Sequence, residues 1–173
     1  MSTDTLKRFT RWFDWLMIWE GESYENDPDD PGGATKYGID QRSHPEVDIK
    51  TLTRDEAKRI YHADYWGRVK ADDLPAGVGE VVADIAVNNG RARAARWLQQ
   101  AAGVTVDGKI GPQTLAAAQT ANKHQLIQAL IDRRAEFYRE IAKGKMSKFL
   151  RGWLNRNRDL ERFVYDGASR ANH

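Results

Sequence analysis

Six carboxylates lie within the eleven residues from Glu20 to Asp30, and no Lys or Arg lies among them. Because like charges at this spacing repel one another, the cluster requires a chemical explanation. Three are open: a cation site, a pair of carboxyl groups for acid and base catalysis, or a solvated acidic turn. The carboxylates are Glu20, Glu22, Glu25, Asp27, Asp29 and Asp30.

A calcium site is one alternative, because calcium prefers oxygen ligands. Residues 26–33 read NDPDDPGG, which offers oxygens but lacks the ligand order of an EF-hand, and two prolines restrict the loop. Calcium at 26–33 stays open, and we assign no metal and no cofactor. The four His residues also lack the spacing of a zinc site; they are His44, His62, His124 and His173.

Hydrolysis of a glycosidic bond needs one carboxyl group that keeps its proton and a second that is ionised. Glu20 falls in the last turn of a predicted helix, where the negative end of the helix dipole and the aromatic residues Trp19 and Tyr24 disfavour ionisation. Asp30 lies on a polar loop bounded by prolines, which favours the charged form. Glu20 and Asp30 therefore fit an acid and a base.

The elements that position these residues are mainly helical. Apolar residues at three- and four-residue steps predict a first helix over 4–20, which Gly21 ends. A small hairpin near 34–39 follows, and a capping box of Thr53 with Glu56 opens the second helix. The segment 104–110 is predicted to be two extended pieces around an Asp-Gly turn. The fold class is mainly α (α+β), with about seven helices and a small β-hairpin after the first.

Length and charge set the frame for the whole chain. At 173 residues we expect a single domain over 1–173, and the absence of Cys excludes disulfides and thiolate sites. Residues 1–60 hold 9 basic and 13 acidic residues, whereas 123–173 hold 12 and 6, which favours a polyanionic partner or a solvated basic face. No run of about 18 apolar residues occurs, so we expect no stable membrane insertion and no signal peptide.

The residue order from Glu20 to Ile39 supports a more specific interpretation. EG followed by Y-x-N-D-P-x-D-P-G-G-x-T-x-x-G-I resembles the signature of glycoside hydrolase family 108, the N-acetylmuramidases found among phage endolysins and bacterial muralytic proteins. Residues 84–140 also resemble a predicted peptidoglycan-binding segment, integrated in the same fold. The resemblance implies a lysozyme-like fold and peptidoglycan as the partner. Further similar segments are 57–66, 84–90, 94–117 and 149–156.

The resemblance also implies roles for single residues. The catalytic Glu of the family's Glu-Gly pair falls on Glu20. The usual Glu-Gly-Gly-Tyr reads EGESY at 20–24, one residue longer, which leaves Glu22 as a rival acid. Phage lysozymes are similar in placing an Asp and then a Thr after the Glu, which falls on Asp30 and Thr35. Thr35 would hold the attacking water with Asp30, a geometry that favours inversion.

Candidate substrate-binding residues are aromatic or carry an amide. Tyrosine rings can stack on sugar rings or pack in the core, and Trp66 could extend a platform begun by Tyr65. An Asn amide can bind an N-acetyl group or cap a helix end. The candidates are Tyr24, Tyr37, Tyr65, Asn88 and Asn89.

The expected function is that of an endolysin that hydrolyses the β-1,4 bond between N-acetylmuramic acid and N-acetylglucosamine, with Glu20 as general acid. The alternatives are a lytic transglycosylase, which needs the acid but no base, and a non-catalytic module that binds the cell wall. No nucleic-acid motif is present, and we expect a monomer. It would accumulate in the host cytoplasm and reach the periplasm and wall through a separate pore-forming protein.

Overall fold

The computed structural model describes residues 3–26 and 32–170. The chain forms two compact units, Met1–Asp64 and Tyr65–His173, and each is described by itself. No helix in the described part is long and apolar enough to cross a membrane.

The first unit contains two helices and one hairpin. Helix α1 (Thr3–Glu20) is followed by strands β1 (Thr35–Lys36) and β2 (Ile39–Asp40) and by helix α2 (Arg54–Tyr61). A π-helical turn, His62–Trp66, continues from α2. The predicted stripe of α1 is buried, so this helix is held by its apolar face. Its buried residues are Phe9, Trp12, Phe13, Trp15, Leu16 and Met17.

The second unit consists of helices joined by turns and short irregular segments over residues 65–170. A 3₁₀ turn, Ala71–Asp73, precedes α3, and a second, Gly144–Phe149, separates the last two helices. The helices are α3 (Val78–Asn89), α4 (Arg91–Ala102), α5 (Pro112–Thr120), α6 (Lys123–Ile141) and α7 (Leu150–Arg170).

The predicted fold class is confirmed: seven helices and one antiparallel hairpin make up the described residues, consistent with a lysozyme-like fold. The capping box is present, since Thr53 and Glu56 bond to each other's backbone. At 104–110 no strand is assigned, and a bend at Asp107 and Gly108 lies between two irregular segments. The buried amide of Gln99 takes the place of strand pairing by bonding to Asp107, Gly108 and Lys109.

A buried ion network joins three helices of the second unit. The Asp84 carboxylate on α3 accepts hydrogen bonds of 2.6 Å from Arg134 on α6 and 2.6 Å from Arg156 on α7. Arg134 also donates to the Tyr138 hydroxyl at 2.9 Å. Burial raises the pKa of Asp84, but the two guanidinium groups lower it by more, so the pKa falls below its ordinary value. The carboxylate therefore stays charged inside the protein.

Replacing Asp84 with Asn should lower the free energy of unfolding by about 3–5 kcal/mol near neutral pH, because two buried cations lose their counter-charge. The lowered pKa of Asp84 means that its ionisation stabilises the fold above the ordinary value of 3.8 and ceases to do so as the pH falls through the folded-state pKa. The difference between wild type and variant should therefore shrink below about pH 4. Urea unfolding at several pH values measures it.

The matched control is Asp132→Asn, the same substitution at an exposed position on α6. It should change the unfolding free energy by less than about 0.5 kcal/mol. Equal unfolding midpoints for the Asp84 and Asp132 variants would contradict a stabilising role for the network.

Candidate active site

Glu20 is the last residue of α1. The backbone N–H of Gly21 donates to the Met17 carbonyl at 3.0 Å, and Gly21 takes a φ of +77°, which ends the helix as predicted. The Glu20 side chain is half-buried. Its carboxyl group is thus carried on a rigid element and remains partly accessible to solvent.

The hairpin beyond the acidic loop is joined by a two-residue turn of Tyr37 and Gly38. Both take a left-handed φ, +54° and +72°, the conformation that suits the twist of a tight hairpin. Thr35 pairs with Asp40 across the hairpin. On its other side, Thr35 exchanges two backbone hydrogen bonds of 2.8 Å with Glu25. The backbone of Thr35 is therefore held from both edges.

The hairpin turn lies directly against Glu20. A methyl group added at Gly38 would come within 2.9 Å of both Cβ and Oε2 of Glu20, and within 2.7 Å of the Tyr61 hydroxyl. Tyr61 is buried and donates to the Tyr37 carbonyl at 3.0 Å. The ends of α1 and α2 and the tip of the hairpin thus meet at one point, and the Glu20 carboxyl lies beside a buried phenol.

The sequence analysis did not predict that Tyr61 and Gly38 would lie next to Glu20. A Gly after Tyr37 in a short hairpin is a local signal for a turn with positive φ. No local pattern links Tyr61 to Glu20, because the contact depends on how α2 packs.

Glu22 lies in a different environment. Arg54 donates from Nε to Glu22 Oε1 at 3.0 Å and from Nη2 to Asp14 Oδ1 at 2.8 Å. These hydrogen bonds, to Asp14 and then to Glu22, raise the pKa of Arg54. Glu22 is exposed and forms an ion pair with Arg54, which is permanently charged. This environment suits a solvated ion pair better than a proton donor.

The remaining candidates of the first unit are only partly described. Asp30 lies outside the described residues, as does most of the 26–33 loop in which calcium was considered. The Thr35 hydroxyl donates to the Gly33 carbonyl at 3.4 Å. Tyr24 is exposed, and the Lys36 ammonium lies 5.3 Å from the ring centroid of Tyr37. Within 3–26 and 32–170, no group of three or more His, Asp or Glu could hold a metal ion.

The second unit carries the other three candidates. Tyr65 is half-buried, whereas Asn88 is exposed and donates to the Asp84 carbonyl at 3.0 Å. The Asn89 side-chain oxygen accepts from the Tyr138 hydroxyl at 3.5 Å. Trp66 is fully buried and donates to Asp72, so the predicted sugar platform does not extend to it.

Replacing Gly38 with Ala should destabilise the first unit, because the new methyl group would overlap Glu20 and Tyr61 and strain a left-handed backbone. Gly103→Ala is the matched control: φ is +67° there, but the added methyl group meets no described atom within 4 Å. The control should cost about 1–2 kcal/mol of unfolding free energy. Chemical denaturation should show a larger loss for Gly38→Ala; an equal loss would contradict the close approach.

Comparisons with known proteins agree with this geometry. Residues 13–90 match a family model described as Glycosyl hydrolase 108, and residues 93–158 match one described as Predicted Peptidoglycan domain. The solved structure of SagA from Brucella abortus is 35% identical with a TM-score of 0.81, covering 92% of this chain and 95% of that one. No curated protein sequence matches. The first model spans Glu20, the hairpin and Tyr61. The chain therefore belongs to the glycosyl hydrolase 108 family and is a glycoside hydrolase that acts on peptidoglycan.

Proposed function

We propose that this protein hydrolyses the β-1,4 bond between N-acetylmuramic acid and N-acetylglucosamine, with Glu20 as the general acid. The observation that carries the proposal is the position of Glu20 at the end of α1, half-buried beside Gly38 and the Tyr61 hydroxyl. The rival acid, Glu22, is exposed and paired with Arg54. A general acid must lie within hydrogen-bond reach of the glycosidic oxygen, and the end of helix α1 holds the Glu20 carboxyl in a fixed position.

In the proposed reaction, Glu20 gives its proton to the glycosidic oxygen as the bond from that oxygen to the sugar C1 breaks. Positive charge develops on the sugar ring, and a water molecule adds to C1. A second carboxylate then takes the proton of that water, and Asp30 is the sequence-based candidate for this base. Thr35, whose backbone is held by Glu25 and Asp40, would hold the water with Asp30.

Substrate-binding residues are proposed in both units. The exposed ring of Tyr24 and the half-buried ring of Tyr37 are available to stack on sugars in the first unit. In the second unit, Tyr65 could stack in the same way, and the amides of Asn88 and Asn89 could bind N-acetyl groups.

An endolysin role is part of the proposal. The protein would act as a monomer on bacterial peptidoglycan after accumulating in the host cytoplasm, and a separate pore-forming protein would give it access to the wall. The basic C-terminal part would attract the anionic wall at long range.

Replacing Glu20 with Gln should lower the release of reducing sugar from purified peptidoglycan by about 100-fold to 10,000-fold, the usual contribution of general acid catalysis. The amide keeps the shape of the side chain but has no proton to give. Glu22→Gln is the matched control and should retain activity, because it removes only an exposed ion pair. Circular dichroism would check that both variants fold. Near wild-type activity in Glu20→Gln would rule out the assignment.

A lytic transglycosylase is the competing reaction, since it uses the same acid without a base. Mass spectrometry of the wild-type digest separates the two. Hydrolysis adds a water molecule at each cleaved bond, whereas transglycosylation leaves an anhydro end. We expect hydrated ends only. If anhydro ends were the main product, the protein would be a lytic transglycosylase and the proposal of hydrolysis would be wrong.

A further inference from the structure

A cationic pocket of about 400 Å³ lies within the second unit. None of the candidate residues Tyr65, Asn88 and Asn89 lines it. Its rim carries Arg68, Arg91 at the start of α4, and Lys109. Its floor is apolar and buried, formed by Val69, Ala95 and Ile110. A positive rim over a small apolar floor suits an anionic ligand that also carries short aliphatic groups.

The Lys109 side of the pocket is fixed by a buried amide. Gln99 is 1% exposed. Its side-chain nitrogen donates to Asp107 Oδ1 at 2.7 Å and to the Lys109 carbonyl at 2.9 Å, while its oxygen accepts from the Gly108 N–H at 2.9 Å. The turn that presents Lys109 is therefore clamped to α4. The backbone of this turn therefore loses little conformational entropy when a ligand binds.

The Asp107 carboxylate belongs to the same clamp. Asp107 accepts from Gln99 and from the backbone N–H of Lys109 at 2.8 Å, and the Gln99 hydrogen bond is the main cause of its lowered pKa. Arg68 and Lys109 form no salt bridge within the described part of the chain, and both side chains are exposed. The Asp107 carboxylate partly offsets the charge of Lys109, and Arg68 and Arg91 supply the remaining positive charge of the rim.

Gly108 leaves room for a further cation beside the pocket. It takes a φ of +79°, and a methyl group added there would come within 3.4 Å of Arg96 Nε. This separation is an ordinary contact, so the Arg96 guanidinium lies close to the turn. Several cations around one concave surface create a positive potential that favours a ligand with more than one carboxylate.

We propose that this pocket binds the carboxylates of the peptide stem of peptidoglycan. The inference rests on the proposed function, because the glycan that the protein cleaves carries such peptides. A stem built from alanine, glutamate and a diamino acid combines several carboxylates with short aliphatic side chains, which matches the rim and the floor. Glycan stripped of peptide carries only one lactyl carboxylate per disaccharide, whereas each stem brings several carboxylates close together.

Isothermal titration with a synthetic N-acetylated tripeptide of alanine, γ-glutamate and diaminopimelate tests the binding directly. The wild type should bind it, and Arg68→Ala/Lys109→Ala should bind at least about tenfold more weakly, because charge-assisted hydrogen bonds are lost. A tripeptide with carboxamides in place of carboxylates should bind equally weakly. Both substituted residues are exposed, so the variant should fold, and its thermal midpoint checks this.

The matched control is Arg139→Ala/Lys143→Ala, which removes the same charge from exposed positions that do not line the pocket. It should keep wild-type affinity for the tripeptide. Three results would overturn the proposal: no binding by the wild type, equal weakening in the control, or inorganic phosphate binding as tightly as the tripeptide. The last would identify a general anion pocket.

Activity on two substrates separates this inference from the proposed function. On intact peptidoglycan the Arg68/Lys109 variant should show a raised KM, whereas on glycan strands stripped of peptide it should match the wild type. If the wild type releases no reducing ends from either substrate, the proposed function fails. If the wild type cleaves both and the variant keeps its KM on intact peptidoglycan, only the stem-binding proposal fails.

Discussion

The buried carboxylate of Asp84 is the interaction on which the helical arrangement of the second unit depends. A charge removed from water is costly, and here the cost is offset by two guanidinium groups that reach it from α6 and α7. Helices α3, α6 and α7 can satisfy this carboxylate together only in one arrangement. Apolar packing alone would tolerate small shifts of one helix along another, whereas two hydrogen bonds of 2.6 Å would not.

The network also reaches exposed side chains. Asn88 donates to Asp84, and Asn89 is linked through Tyr138 to Arg134. The amides proposed to bind N-acetyl groups are thereby oriented by buried charges. The orientation of Asn88 and Asn89 thus depends on the buried network, and a change to that network would alter it.

Local signals made much of the fold predictable. The end of α1 at Glu20 and the capping box at Thr53 each follow from a few adjacent residues, so the sequence located them. The partners of Asp84 could not be found in this way, since they lie 50 and 72 residues further along the chain. The contact that holds the turn at 107–109 could not be found for the same reason, because the amide of Gln99 reaches it from another element.

For the site, the sequence identified Glu20 through its helix end and its signature, and the structure adds the hairpin tip and the buried phenol beside it. It also gives Glu20 and Glu22 different surroundings, because Glu22 pairs with Arg54 through tertiary packing. The crowding of carboxylates at residues 20–30 therefore gave little information about which of them would form an ion pair with a basic residue.

The Gln99 amide has a consequence for the substitutions that this position can accept. Its nitrogen faces three oxygens, those of Asp107, Lys109 and Thr114. Glutamate has nearly the same size and shape, yet it would turn a second oxygen toward all three. One of the three belongs to the Asp107 carboxylate, which would repel a second carboxylate. A change of a single nucleotide converts a glutamine codon into a glutamate codon. Gln99→Glu is thus easily reached by mutation. The surroundings of residue 99 are nevertheless chemically incompatible with a glutamate side chain.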